Sequence, residues 1–223
     1  MTNAPRSRRV VVLASGTGST LRAVIEAARD EAFGVRIVGV VTDKDGVGAL
    51  AIAREAGIPT AVVRLADFES RALWDEAVAR TVATFDPDLV LLAGFMRLLG
   101  EPSLARFGGR ILNTHPALLP AYPGARGVRD ALAGGAKVTG CTVILVDAGV
   151  DTGPIVAQAT VEVLDDDTES TLHARIKEVE RGLVTRTLGR MAREGWTVTG
   201  RTVRFGTAAL TPDTPPPAPQ EQS

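Results

Sequence analysis

By type and spacing, Asn113 and His115 are the residues of this chain best suited to do chemistry. They stand two apart in Asn113-Thr114-His115-Pro116-Ala117-Leu118-Leu119-Pro120, where a short apolar run ends. In extended backbone, side chains two apart point to the same face. One face then carries an amide donor beside an imidazole. An amide can donate to an oxyanion forming on a carbonyl, and an imidazole can move protons or, when charged, donate as well. That pair suits acyl transfer. The prolines around it stiffen the loop and help hold a reacting geometry.

Three further segments offer chemistry. Asp147-Ala148-Gly149-Val150-Asp151-Thr152-Gly153-Pro154 presents glycine-flanked carboxylates. Such a carboxylate can hydrogen-bond an imidazole and raise its pKa, or simply make an acidic turn. Spacing alone does not bring Asp151 to His115. Ser15-Gly16-Thr17-Gly18-Ser19-Thr20 lies between a strand-like and a helix-like run. Its glycines let backbone approach a ligand, and the free N–H groups of a helix start favour a phosphate. Read blandly, it is a capped turn. It lacks the Gly-Lys-Ser/Thr of a P-loop, and Leu21 stands where a dinucleotide fingerprint has its third glycine. Gly94-Phe95-Met96-Arg97-Leu98-Leu99 sets one cation among apolar side chains. It suits a flat ligand with an acidic part, or a core edge with a solvated Arg.

These segments must be positioned by regular elements. Continuous apolar runs at Val10–Ala14, Arg36–Val41, Thr60–Arg64, Leu89–Ala93 and Arg110–Asn113 read as strands buried on both faces. Helical spacing is read between them, at Leu21–Ala28, Ala49–Ala56 and Phe68–Phe85. The alternation predicts an α/β, Rossmann-like fold: a mainly parallel twisted sheet with helices on both faces. Ligands in such folds sit beyond the C-terminal strand ends. That rule selects 15–20, 42–45, 94–99 and 113–124. In the C-terminal half, Val138–Asp147 and Ile155–Val163 are longer strands, a helix spans about 168–193, and Trp196–Phe205 is a hairpin around Thr-Gly-Arg. This half is expected to add antiparallel strands to the same sheet. Residues 1–8 read as a flexible tail, 9–206 as one domain, and 207–223 as a Pro-rich disordered tail.

In that late helix, Leu172, Ile176, Val179 and Leu183 form the inner stripe. His173 falls off the stripe and reads as surface. Glu180 lies nearer its edge and, unaided, reads as a solvated charge. Cys141 is the only cysteine, so no internal disulfide or cysteine-rich zinc site exists, and its strand context predicts a buried thiol. The formal net charge of −1 gives no global field for nucleic acid, and no apolar run is long enough to span a membrane.

Taken in order, three matches resemble the folate-dependent formyltransferases, and most closely the phosphoribosylglycinamide formyltransferase family. They are Leu-Ala-Ser-Gly-Thr-Gly-Ser-Thr-Leu at 13–21, Leu-Ala-Gly-Phe-Met-Arg-Leu-Leu at 92–99 and Asn-Thr-His-Pro-Ala-Leu-Leu-Pro at 113–120. Asp151-Thr152-Gly153-Pro154 adds a fourth. The resemblance covers about Arg9 to Phe205. It implies a cytoplasmic enzyme of purine biosynthesis that moves a formyl group from 10-formyltetrahydrofolate to glycinamide ribonucleotide. It needs no metal, binds small-molecule substrates and no nucleic acid or membrane, and works as monomer or homodimer.

The resemblance also implies roles for residues. Asn113, His115 and Asp151 would be catalytic. Gly18, Ser19 and Thr20 would bind the phosphate, and Lys177 and Glu180 the ribonucleotide, with Glu180 near its amine. Arg71, Met96, Arg97, Leu98, Leu99, Asp147, Ala148, Gly149 and Val150 would contact the folate, with Asp151 closing that loop. The chain departs from the family at Thr17 and Thr20, where Asn is usual, and at Arg126 and Val128, where His is frequent. It departs again at Thr114, often aliphatic, which should point away from the site. A methionyl-tRNA formyltransferase would carry a basic C-terminal domain, and a formyltetrahydrofolate hydrolase an N-terminal one. A sugar-nucleotide formyltransferase, or a non-catalytic nucleotide-binding protein on a Rossmann-like sheet, would share part of the same pattern.

Overall fold

The computed structural model describes residues 6–206. Five strands run parallel: β1 (Arg8–Leu13), β2 (Val35–Thr42), β3 (Thr60–Val62), β4 (Leu89–Leu92) and β5 (Ile111–His115). β6 (Val138–Leu145) adds antiparallel to β5, and β7 (Ile155–Glu162) antiparallel to β6. The hairpin of β8 (Trp196–Thr199) and β9 (Thr202–Phe205) completes the sheet, with β9 joined to β7 at Ile155 and Thr202. The nine strands lie in the order β3-β2-β1-β4-β5-β6-β7-β9-β8. The expected parallel half, antiparallel additions and terminal hairpin are all present.

Helices cover both faces. α1 (Ser19–Ala27), α2 (Gly48–Glu55) and the long α6 (Glu169–Glu194) pack on one side, where Leu21, Ile52, Leu172, Ile176 and Leu188 meet Val10, Val12, Leu112 and Val143. α3 (Arg71–Ala83) and α4 (Glu101–Phe107) pack on the other, where Trp74, Val78 and Phe107 meet Val11, Leu13, Val90 and Ile111. Successive residues of β1 thus enter opposite cores, so its sequence is apolar throughout rather than alternating. Ser70 caps α3 by accepting the Leu73 N–H, and Thr168 and Thr171 form a capping box at α6.

Two short helices escaped the sequence reading, α4 and α5 (Gly127–Ala133). Seven residues make about two turns, too few to show a helical period. Arg8, read as the last residue of the tail, already belongs to β1. The rest of the tails read at 1–8 and 207–223 lies outside the described residues, apart from Arg6 and Ser7. No helix among the described residues is long and apolar enough to cross a membrane.

Between β1 and β4 the chain order reverses, which opens a crevice at the C-terminal strand ends. The loops that leave these strands meet there: the Ser15 N–H donates to the Gly94 carbonyl at 3.2 Å. β5 is the next strand over and delivers Asn113 and His115 to the same edge.

Candidate active site

Along β5, Ile111 belongs to the α3 side of the sheet and Leu112 to the α6 side. By the strand alternation, Asn113 and His115 share the Ile111 face and Thr114 takes the other. His115 is buried, with 4% of its side chain exposed. Its Nδ1 lies 3.2 Å from Asp151 Oδ2, and its Nε2 lies 2.8 Å from the Tyr122 carbonyl oxygen. Both ring nitrogens therefore face acceptors, and only the charged imidazolium can donate to both at once. Burial opposes that charge. The Asp151 hydrogen bond and charge, the Tyr122 carbonyl and the charge of Glu180 outweigh it, and the His115 pKa is raised.

Asp151 adopts a left-handed backbone, φ 55°, uncommon outside glycine but tolerated by Asp. This turn aims its carboxylate back at His115, and Oδ2 also accepts the Gly124 N–H at 2.9 Å. The hydrogen bond to His115, opposed by burial and aided by the Gly124 amide, holds its pKa below the usual carboxylate range. The loop that follows His115 is pinned from β6. Thr142 Oγ donates to the Ala117 carbonyl at 2.7 Å and accepts the Leu119 N–H at 3.0 Å. Gln158 Nε2 donates to the Leu119 carbonyl at 2.8 Å.

The first loop opens α1 with Gly18 at φ 78°. A Cβ there would lie 2.8 Å from Ala49 Cα, so α2 leaves room only for glycine. Ser19 and Thr20 form the first turn of α1, whose N–H groups have no intrahelical partner. Thr20 is buried, whereas Ser19 is exposed. Thr17, Ser19, Arg22 and Arg181 line a hollow of about 460 Å³ beside this turn. The sequence reading missed both of these arginines; their signal was a cation one turn into α1 and another next to Glu180.

On α6, Glu180 is half-buried and Lys177 exposed. Burial raises the Glu180 pKa, opposed by the nearby Thr114 hydroxyl and the charges of Lys177, Arg181 and His115. Thr114 thus points away from the His115 face, as expected, but toward Glu180. His173 is half-buried rather than at the surface, and burial together with Lys177 lowers its pKa. Cys141 is fully buried, and burial pushes its thiol up to about 12.

Of the residues expected on the folate side, Arg71 at the start of α3 donates to the Leu98 carbonyl beyond the exit of β4. Met96, Leu98 and Val150 are exposed apolar side chains, and Arg71 also donates to Asp75. Asp147 holds its own loop, accepting from the Gly149 N–H at 3.0 Å and the Thr152 hydroxyl at 2.6 Å. Arg97 turns inward instead: its Nε donates to Asp43 Oδ2 at 2.7 Å. Among the described residues, no group of three or more His, Cys, Asp or Glu is placed to hold a metal ion.

A buried imidazole with an acceptor on each ring nitrogen, on the same strand face as an amide at the open end of a twisted α/β sheet, is the equipment of an acyl-transferring enzyme. The chain belongs to the formyl transferase family, whose description matches residues 8–188. It is 56% identical over 198 residues to the phosphoribosylglycinamide formyltransferase of Mycobacterium tuberculosis (strain ATCC 25618 / H37Rv), covering 89% of this chain and 91% of that protein. It is 46% identical over 185 residues to the trifunctional purine biosynthetic protein adenosine-3 of Drosophila melanogaster, covering 82% of this chain and 14% of that one. The crystal structure of glycinamide ribonucleotide transformylase 1 from Symbiobacterium toebii superposes with a TM-score of 0.88 at 40% identity, over 92% of this chain and 96% of that one.

Proposed function

We propose that this enzyme transfers the formyl group of 10-formyltetrahydrofolate to the amine of glycinamide ribonucleotide, in the cytoplasm, as a step of purine biosynthesis. The observation that carries the reading is the Asp151–His115–Tyr122 arrangement beside Asn113, in a chain so similar to phosphoribosylglycinamide formyltransferase.

The amine nitrogen attacks the formyl carbon, and the carbonyl oxygen becomes an oxyanion. The Asn113 amide makes no side-chain hydrogen bond to the described residues and is free to donate to it. His115 was expected to donate as well. With both ring N–H groups committed, it acts here chiefly through its charge, which Asp151 maintains. The tetrahedral intermediate then collapses: the bond from carbon to folate N10 breaks, and the proton lost by the amine ends on N10. The first turn of α1, with Gly18, Ser19 and Thr20, holds the phosphate, and Glu180 and Lys177 face the amine and ribose. Arg71, Met96, Leu98, Leu99 and the 147–150 loop hold the folate.

The test is an absorbance assay on purified protein with 10-formyl folate, with and without glycinamide ribonucleotide. Release of deformylated folate only when the ribonucleotide is present is the expected result. Equal release without it would make the enzyme a hydrolase.

A further inference from the structure

Asp43 follows β2 and has no role in the reaction derived above, yet it is the most completely buried carboxylate that joins the crevice loops. Its side chain is 1% exposed. Oδ1 accepts the Ser15 hydroxyl at 2.6 Å, and Oδ2 accepts the Arg97 Nε–H at 2.7 Å. The same Ser15 oxygen accepts the Met96 N–H at 3.3 Å, and the Ser15 N–H donates to the Gly94 carbonyl at 3.2 Å. Arg97 lies over the Trp74 ring, 5.8 Å from its centroid, and Arg71 lies over that ring too, at 4.8 Å. One carboxylate on the exit of β2 therefore ties the exit of β1 to the exit of β4.

We propose that Asp43 is a positioning residue, a clamp that makes the phosphate loop and the folate loop one rigid unit. This rests on the assignment of those two loops in the proposed function. A buried carboxylate is tolerated only with its partners in place. The Arg97 side chain is thereby held inward while the 96–99 backbone is presented to the folate. If either loop shifts, Asp43 loses a bond it cannot replace from water, so a displacement of one is resisted by the other. Because the Asp43 side chain is all but closed to solvent, it acts on both loops through geometry.

Asp43→Asn keeps the size and an acceptor for Ser15 but removes the charge that holds Arg97. The expected result is a rise of about tenfold in KM for both substrates, with kcat changed by no more than about threefold and its pH profile unmoved. Ser15→Ala removes one hydroxyl and no charge, and should raise both KM values to a smaller degree. Amide hydrogen exchange on the unliganded variants should speed up together in 15–20 and 94–99, and not in 113–120. A change in one KM alone, or faster exchange in one loop alone, overturns the clamp. Should Asp43→Asn fail to fold, Ser15→Ala decides the matter by the same readings. If the wild type transfers no formyl group, the reaction assignment fails, and hydrogen exchange still judges the clamp.

Discussion

Asp151 Oδ2 stands 3.2 Å from His115 Nδ1, and the same oxygen takes the Gly124 N–H at 2.9 Å. One carboxylate thus orients the ring, favours its charge and fixes the loop that supplies the ring's other acceptor, the Tyr122 carbonyl.

Replacing Asp151 by Asn keeps the shape and discards the charge. The His115 pKa should fall, so the alkaline limb of the kcat profile should move to lower pH, with turnover at neutral pH reduced and partly regained near about pH 6. Rate measurements across pH check this, and a limb at the same pH in both proteins contradicts it. Stability follows the same pair. His115, raised when folded, contributes fully below its unfolded pKa, and that contribution is lost as pH rises through the folded value. Asp151, lowered when folded, contributes above its unfolded pKa and loses this as pH falls through the folded value. The pair therefore stabilises most between the carboxylate and imidazole ranges.

Asn113→Ala should cut kcat by a factor of ~10²–10³, the usual cost of one oxyanion donor. His115→Ala should cost at least as much and should also lower the melting temperature, because Asp151 and the Tyr122 carbonyl lose their buried partner, while unfolding stays cooperative. Steady-state kinetics beside thermal melts give the answer, and near-normal turnover in either variant would remove that residue from the mechanism.

Glu180→Gln should raise KM for the ribonucleotide by about tenfold and leave KM for the folate unchanged, because it discards a negative charge that only the amine substrate uses. A matching rise in both constants would place Glu180 in the scaffold instead.

Trp74 is fully buried between α3 and the sheet, and its Nε1–H donates to the Val63 carbonyl at 2.8 Å. Trp74→Ala should cost about 3–5 kcal/mol by emptying the core and freeing that carbonyl. Denaturant unfolding measures this, and a loss under about 1 kcal/mol would mean that the site collapses around the gap.

Much of this was legible in the sequence because the physics left a pattern. β1, β2, β4 and β5 are covered on both faces, so their apolar runs announced them, and the strand-end rule then selected 15–20, 42–45, 94–99 and 113–124. Asn113 and His115 were legible because spacing along a strand fixes a common face. The partners of His115 were not legible from spacing, and Asp151 was named only through the family resemblance. Tyr122 and Gly124 serve through backbone groups, which any residue can provide, and Asp151 meets the ring only through a left-handed turn. Asp43 fell within the selected 42–45 stretch without a role, since nothing local reveals that Ser15 and Arg97 converge on it. Glu180 read as solvated because helical spacing cannot show that Thr114 sits beneath it.

The chain has only two histidines, so their ring signals can be followed by NMR across pH without crowding. The structure sets them on opposite sides of the ordinary imidazole value, His115 above and His173 below. One titration is expected above about 6.5 that drops in Asp151→Asn and vanishes in His115→Ala, with the other unmoved. A His115 ring that titrates at or below that value, or one indifferent to Asp151, would contradict the claim that the carboxylate keeps this imidazole charged for catalysis.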